Sequence, residues 1–181
     1  MELTYTLDEN DFLNHQLYLA SKSDRIKKSR LKRRIWAVVA FLSMAWLFYM
    51  KRDVALFWYF FVAAALAAIF YPLYLRRLYK RHYQKYIREN YLNRIGKTVA
   101  IQLDDEKLWS KNELSEGSIS LAGLTEIVEV PTAFYLKTDT SSALLLPKSQ
   151  MADTAEVKAE LQAVARRYSI PYQEELNWQW K

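Results

Sequence analysis

The sequence predicts an α+β membrane protein: a two-helix transmembrane hairpin with extended cytoplasmic helices, followed by a small antiparallel β domain capped by a C-terminal helix. Three observations support this prediction. Residues 35–50 and 54–75 are two apolar runs without a charged side chain. Basic residues flank both runs, and from residue 98 onward the hydrophobic residues alternate with the period of two that is typical of strands.

The two apolar runs predict membrane-spanning helices. As a helix, the run 54–75 spans roughly 33 Å, which is enough for a hydrocarbon core of about 30 Å. The run 35–50 spans only roughly 24 Å, but the long basic side chains beside it can extend toward water. Residues 51–53 (KRD) form the connecting turn. A buried helix pair in a soluble core is the alternative, and the absence of charge in both runs disfavours it.

Charge is divided unevenly along the chain. The formal net charge is +6, and eight Lys/Arg lie in residues 22–34 and eight more in residues 76–97. The residues from 98 onward carry eight Lys/Arg against thirteen Asp/Glu. Because basic flanks favour the cytoplasmic side, we expect a multi-pass protein of the cytoplasmic (inner) membrane with both termini in the cytoplasm. The acidic soluble part argues against a nucleic-acid partner.

The basic flanks are also candidate contacts for the lipid bilayer, because cations beside a span attract anionic headgroups. A role limited to setting the topology is the alternative. The candidate residues are Lys27, Lys28, Arg30, Lys32, Arg33, Arg34, Arg76, Arg77, Lys80 and Arg81.

Small residues predict where the two spans pack, because they let helices approach closely in lipid. Counting outward from the turn pairs Ala40 with Ala64 and Ala37 with Ala67. The spans contain no Asp, Glu, Lys, Arg or His, which favours anchoring over transport.

The segments around the hairpin are predicted as helical. In residues 1–34, a short strand (2–7) precedes a helix that Asp8 caps and that continues through the basic run into the first span. His15 is predicted on the polar side of this helix. Residues 76–95 extend the second span as a basic juxtamembrane helix that Gly96 ends. One stripe of this helix is predicted to pack against the rest of the protein, with a partner-docking or lipid-contact face as the alternative; it consists of Leu75, Tyr79, Tyr83, Tyr86 and Asn90.

Residues 96–181 predict the β domain. Short alternating segments from Val99 to Leu146, separated by polar turns, are typical of an antiparallel meander and hence of a small sandwich or barrel. Asp153 then predicts the N-cap of an amphipathic helix that Pro171 ends. The apolar stripe of this helix begins at Val157.

No residue pattern predicts catalysis, a metal or another cofactor. Cysteine is absent, His15 and His82 lack a second ligand at metal-binding spacing, and the three glycines form no phosphate-binding loop. Carboxylates such as Glu126 and Glu129 are assigned to turns and exposed strand faces, where a general acid/base pair rarely forms. We therefore expect a non-enzymatic protein, with a membrane-bound hydrolase as the least favoured alternative.

The opening TYTLDENDF and the step LLLPKSQM before the last helix, in this order of elements, resemble bacterial membrane proteins with a YcxB-like C-terminal domain. The resemblance implies a cytoplasmic domain of pleckstrin-homology-like character, a partly open β-sandwich capped by a helix. It implies no established activity. Protein interaction or membrane-surface sensing is the expected role, and an accessory subunit of a larger membrane complex, such as a transporter, is the alternative.

Overall fold

The computed structural model describes residues 2–112, 116–139 and 143–181. They form an α+β structure in which two long apolar helices precede most of the strands. The elements are β1 (Glu2–Thr6), α1 (Glu9–Lys22), α2 (Asp24–Met50), α3 (Val54–Asn90), β2 (Thr98–Leu103), β3 (Lys107–Asn112), β4 (Glu116–Ser120), β5 (Leu124–Glu129), β6 (Ala133–Thr138), β7 (Ala143–Pro147), α4 (Thr154–Tyr168) and β8 (Tyr172–Glu174). Single-turn 3₁₀ helices at Leu121–Gly123 and Lys148–Gln150 lie beside β5 and β7.

The chain divides into two units that differ from the predicted segments 1–34, 35–75, 76–95 and 96–181. The β unit contains residues 1–15 and 84–179, and the helical unit contains residues 16–83 and 180–181. The first residues of the chain therefore group with the β domain, because β1 is one of its strands.

The N-terminal helix is two helices rather than one. Ser23 has extended backbone between α1 and α2, and its hydroxyl accepts a hydrogen bond from the backbone N–H of Ile26 at 3.4 Å. A side chain that satisfies an N–H of the first turn favours the start of a new helix, so α2 begins here.

Helices α2 and α3 are long and apolar enough to cross a membrane. Their most apolar 18-residue windows have mean hydropathies of 1.2 and 2.2, and 6% of each window is buried. The predicted turn between them is confirmed. Arg52 has a φ of 57° in this turn, and Asp53 caps α3 by accepting a hydrogen bond from the N–H of Leu56 at 3.1 Å.

Helix α3 passes through Pro72 and ends at Asn90, earlier than predicted. Gly96 does have a positive φ of 74°, but its N–H donates to the carbonyl oxygen of Leu7 at 2.9 Å. It therefore forms the turn into β2 and does not end the helix. The predicted stripe also changes, because Ile87 is fully buried whereas Tyr86 is 41% exposed.

Two four-stranded sheets form the β unit. Their strand orders are β1-β2-β3-β4 and β7-β6-β5-β8. In the first sheet β1 pairs antiparallel with β2, with Leu3 opposite Ile101 and Tyr5 opposite Val99. In the second sheet β8, which was not predicted, pairs parallel with β5. Apart from this pairing, the strands are antiparallel as predicted.

One hydrophobic core joins both sheets and α4. Strand β2 alternates between exposed and buried residues, which matches its predicted period of two. Asp153 caps α4 as predicted, since its carboxylate accepts hydrogen bonds from the N–H groups of Ala155 and Glu156. The core residues that define the interior are Tyr5, Val99, Ile101, Leu108, Ile127, Phe134, Leu136, Leu146, Val157, Leu161 and Val164.

Candidate functional site

The ten predicted lipid-contact cations lie on two helices of the helical unit, six on α2 and four on α3. Nine are exposed, and Arg30 is half-buried. Lys27 forms an ion pair with Asp24 at 3.5 Å, and no carboxylate of the described residues pairs with the other nine. We call these ten residues the basic surface. Its charge is almost unneutralised by the protein, so it can attract anions.

Arg30 is the half-buried member of the basic surface, and its guanidinium contacts residues at the end of the chain. Its guanidinium lies 4.9 Å from the ring centroid of Trp180 and donates to the carbonyl oxygen of Lys181 at 2.6 Å. Trp180 is 7% exposed, its ring centroid lies 6.2 Å from that of Tyr79, and its indole N–H donates to the carbonyl oxygen of Arg76 at 3.2 Å. This cation–π and hydrogen-bonded cluster joins α2, α3 and the last two residues.

The predicted alanine seam is only partly buried. Ala64 is buried, Ala37 and Ala67 are half-buried, and Ala40 is exposed, whereas Ala45 of α2 is 2% exposed. Rings show the facing register, because Phe48 stacks on Phe60 with centroids 5.3 Å apart. Counting from this pair sets Ala64 level with Met44, next to the buried Ala45 and about one helical turn from the predicted partner, Ala40.

Replacing Ala64 with leucine tests the seam. We expect a lower melting temperature in detergent, with a loss of about 1–3 kcal/mol in stability, because the larger side chain overpacks a close helix contact. Ala40→Leu is the matched control and should leave the melting temperature unchanged. Thermal unfolding followed by circular dichroism measures both variants. An equal loss in the two variants would restore the predicted pairing of Ala40 with Ala64.

Glu129 is a buried charged residue of the β unit that contacts three polar side chains. It is 3% exposed, although the sequence placed it on an exposed strand face. Its carboxylate accepts hydrogen bonds from Lys148 Nζ at 2.7 Å and from Tyr172 Oη at 3.0 Å, and it pairs with Lys158 Nζ at 2.9 Å. Lys158 also pairs with Glu174 at 3.0 Å. The network joins β5, β8, α4 and the 3₁₀ turn after β7.

These contacts keep Glu129 charged. Burial on its own raises the pKa of Glu129, but hydrogen bonds from Lys148, Lys158 and Tyr172 outweigh burial and hold the pKa below its ordinary value. A carboxylate with a lowered pKa is a weak proton acceptor at neutral pH. The arrangement therefore fits a structural ion network.

His15 is also buried, at 8% exposed, although the sequence predicted it on the polar side of its helix. Its ring meets that of Tyr135 edge-on, with centroids 4.9 Å apart. Among the described residues, Nε2 of His15 and the hydroxyl of Tyr5 have no hydrogen-bond partner. Burial, and then the charge of Lys137, lowers the pKa of His15 to about 4, so the ring is neutral at physiological pH.

A cleft of about 710 Å³ lies between the β2–β3 turn and α4. Arg167 donates to a carboxylate oxygen of Asp105 at 2.8 Å, and the Tyr168 hydroxyl donates to the Asp105 carbonyl oxygen at 2.7 Å. The charged residues that line the cleft are Asp104, Asp105, Glu106, Lys107, Glu160 and Arg167. The excess of acid repels an anionic headgroup, so the basic surface is the better candidate for lipid contact.

The described residues contain no group of three or more His, Asp or Glu side chains that could hold a metal ion. The sequence alone predicted neither the Glu129 network nor the burial of His15. A weak signal existed for Glu129, since it follows Ile127 and Val128 in an apolar strand. No local signal distinguished His15 from a solvated residue.

Residues 103–165 match the family described as YcxB-like protein. The C-terminal part of the chain therefore contains a YcxB-like domain, and the matched segment includes Glu129, Lys148 and Lys158. No curated protein and no solved structure matches the chain.

Proposed function

We propose, from the YcxB-like domain and the two apolar helices, that this is a non-enzymatic integral protein of the bacterial cytoplasmic membrane. It anchors the β unit on the cytoplasmic side, where the β unit serves protein interaction or membrane-surface sensing. The observation that carries this proposal is the exposure of the apolar helices. In each helix, 6% of the most apolar 18-residue window is buried.

The exposed apolar surface is too large for a protein surrounded by water. Trp46 is 61% exposed, Ile69 is 65% exposed and Phe70 is 56% exposed. In a soluble helix pair such residues would face a core, and contiguous apolar patches of this extent mark a membrane or protein contact. A bilayer removes them from water along the apolar runs 35–50 and 54–75 of these helices.

The charge at the two ends of the hairpin supports the orientation. The basic surface lies on the parts of α2 and α3 that are distant from the turn, whereas the turn holds Lys51, Arg52 and Asp53. Positive residues favour the cytoplasmic side, so both ends of the hairpin point to the cytoplasm.

Reporter fusions test this topology. We expect a reporter fused after Lys181 to report a cytoplasmic position and one inserted at Arg52 to report the outer side. Enzymatic reporters that are active on only one side of the membrane give the measurement, and an insertion at Ser149 is the cytoplasmic control. A cytoplasmic signal from the Arg52 insertion would overturn the proposal.

We also propose that the β unit is pleckstrin-homology-like. The strand orders β1-β2-β3-β4 and β7-β6-β5, followed by α4, support this proposal. In this interpretation α1, α2 and α3 are an insertion between the first and second strands of the domain.

An accessory subunit of a larger membrane complex is the second candidate. An apolar recess of about 690 Å³ at the hairpin turn favours it, lined in part by Trp46, Tyr49, Phe57 and Trp58. A stoichiometric membrane protein that co-purifies in mild detergent and is lost from Trp46→Ala/Trp58→Ala would support this role. Equal recovery of the partner with the wild-type protein and with the double variant would argue against this docking surface.

A further inference from the structure

A second pocket in the helical unit has a different chemistry. It measures about 440 Å³ and lies between α2 and α3, at the start of the first apolar run. Its lining residues from α2 recur at spacings of three and four, so they share one face of that helix. The pocket is lined by Ser29, Lys32, Arg33, Trp36, Ala37 and Tyr71.

The polar groups of this pocket match a phosphate. The guanidinium of Arg33 can donate two parallel hydrogen bonds to phosphate oxygens, and Lys32 adds a compact positive charge. Ser29, Trp36 and Tyr71 each carry an O–H or N–H donor. No carboxylate lines the pocket, and none of the described residues pairs with Lys32 or Arg33.

The surroundings of the pocket favour a lipid as the source of that phosphate. Trp36 is 63% exposed, and the apolar surface continues from it along α2 through Ile35 and Val39. Indole and phenol rings prefer the membrane–water interface, where Trp36 and Tyr71 would lie. A headgroup in the pocket could therefore leave its acyl chains along the exposed helices.

We propose that this pocket binds the phosphate headgroup of a single anionic phospholipid. The inference rests on the proposed membrane insertion and narrows the lipid contact from the ten residues of the basic surface to Lys32 and Arg33. The remaining cations act through general electrostatic attraction to the membrane surface.

The test uses the full-length protein in detergent, with bound lipid counted by native mass spectrometry. Phosphatidylglycerol, phosphatidylcholine and inorganic phosphate are titrated separately. The variant Lys32→Gln/Arg33→Gln removes both pocket charges. Lys51→Gln/Arg52→Gln is the matched control, because it makes the same charge change at the hairpin turn, outside both the pocket and the basic surface. Arg33→Gln alone gives the measurement if the double variant does not fold.

We expect wild type to retain one phosphatidylglycerol. The pocket variant should bind it about thirtyfold more weakly, at roughly a factor of five or more per cation, and the control should change by less than about threefold. Equal losses of phosphatidylglycerol affinity in the two variants would overturn the proposed binding site. So would an affinity of the wild type for phosphatidylcholine equal to its affinity for phosphatidylglycerol. Inorganic phosphate binding as tightly as the lipid would overturn the lipid assignment.

Flotation of the wild-type protein with phosphatidylcholine vesicles separates this inference from the proposed function. If the wild type floats but Lys32→Gln/Arg33→Gln does not specifically weaken phosphatidylglycerol binding, the lipid pocket is rejected and the membrane anchor stands. Failure to float rejects the membrane anchor, and the lipid pocket with it.

Discussion

Replacing Glu129 with glutamine will lower the free energy of unfolding of the β unit by about 3 kcal/mol. The substitution removes a buried negative charge and leaves Lys148, whose side chain is 16% exposed, without its counter-ion. Breaking a buried ion pair from one side costs about 3–5 kcal/mol, because the remaining charge stays desolvated. Lys158 retains Glu174 as a partner, which places the expected loss at the lower end of this range.

Hydrogen exchange in the full-length protein measures this loss where it occurs. Amides of β5 and β6 should exchange roughly 150-fold faster in the variant, which corresponds to about 3 kcal/mol. Glu126→Gln is the control on the same strand, since its pair with Lys137 is 22–24% exposed. We expect a loss of about 1 kcal/mol from that control. Exchange rates that match between the two variants would show that the Glu129 network does not stabilise the unit.

Acidification from pH 6.5 toward pH 4 will destabilise the β unit, and protonation of His15 will be the cause. The folded pKa of about 4 lies below the ordinary value of 6.5, so the unfolded chain binds more protons between these values. The stability that neutral His15 contributes is complete above pH 6.5 and is lost as the pH falls toward 4. The loss amounts to about 2 kcal/mol at pH 5 and about 3 kcal/mol at pH 4.

The groups near His15 explain why its protonated form is disfavoured. Lys137 adds a positive charge, and the aromatic ring of Tyr135 offers contact but no counter-ion. Asp11 lies four residues before His15 on α1, and burial, partly offset by a backbone hydrogen bond at Asp8, raises the pKa of Asp11. Asp11 therefore tends to lose its own negative charge on acidification and compensates His15 poorly.

Substitution of His15 by phenylalanine isolates its contribution. We expect His15→Phe to abolish the loss of stability between pH 7 and pH 5 and to keep the ring contact with Tyr135. His82→Phe, at an exposed position, should behave as wild type. Hydrogen exchange in β6, corrected for the intrinsic effect of pH, gives the comparison. An unchanged pH dependence in His15→Phe would assign the acid sensitivity to other groups.

Local patterns were sufficient for the parts of this protein that depend on neighbouring residues. The apolar runs, the turn at 51–53, the Asp153 cap and the alternation in 98–103 all follow from spacing along the chain, and the structure has each of them. Helix and strand periods are set within a few residues, so they can be read without knowing the partner.

The errors lie where distant segments meet. Gly96 has the positive φ of a helix end, yet its partner is Leu7, far away in the sequence. Tyr86 fits the helical stripe as well as Ile87 does, and only the packed structure shows that Ile87 is buried. Strand β8 has three residues and takes its hydrogen bonds from β5.

Composition and period are properties of contiguous residues, so they were enough to predict two charge-free apolar runs, basic flanks and an acidic β domain. The folded chain was needed to show that β1 completes the first sheet, that Glu129 and His15 are buried, and that Lys32 and Arg33 share a pocket with Tyr71. Burial and strand pairing depend on which remote residues exclude water from a side chain, and that information lies in the fold.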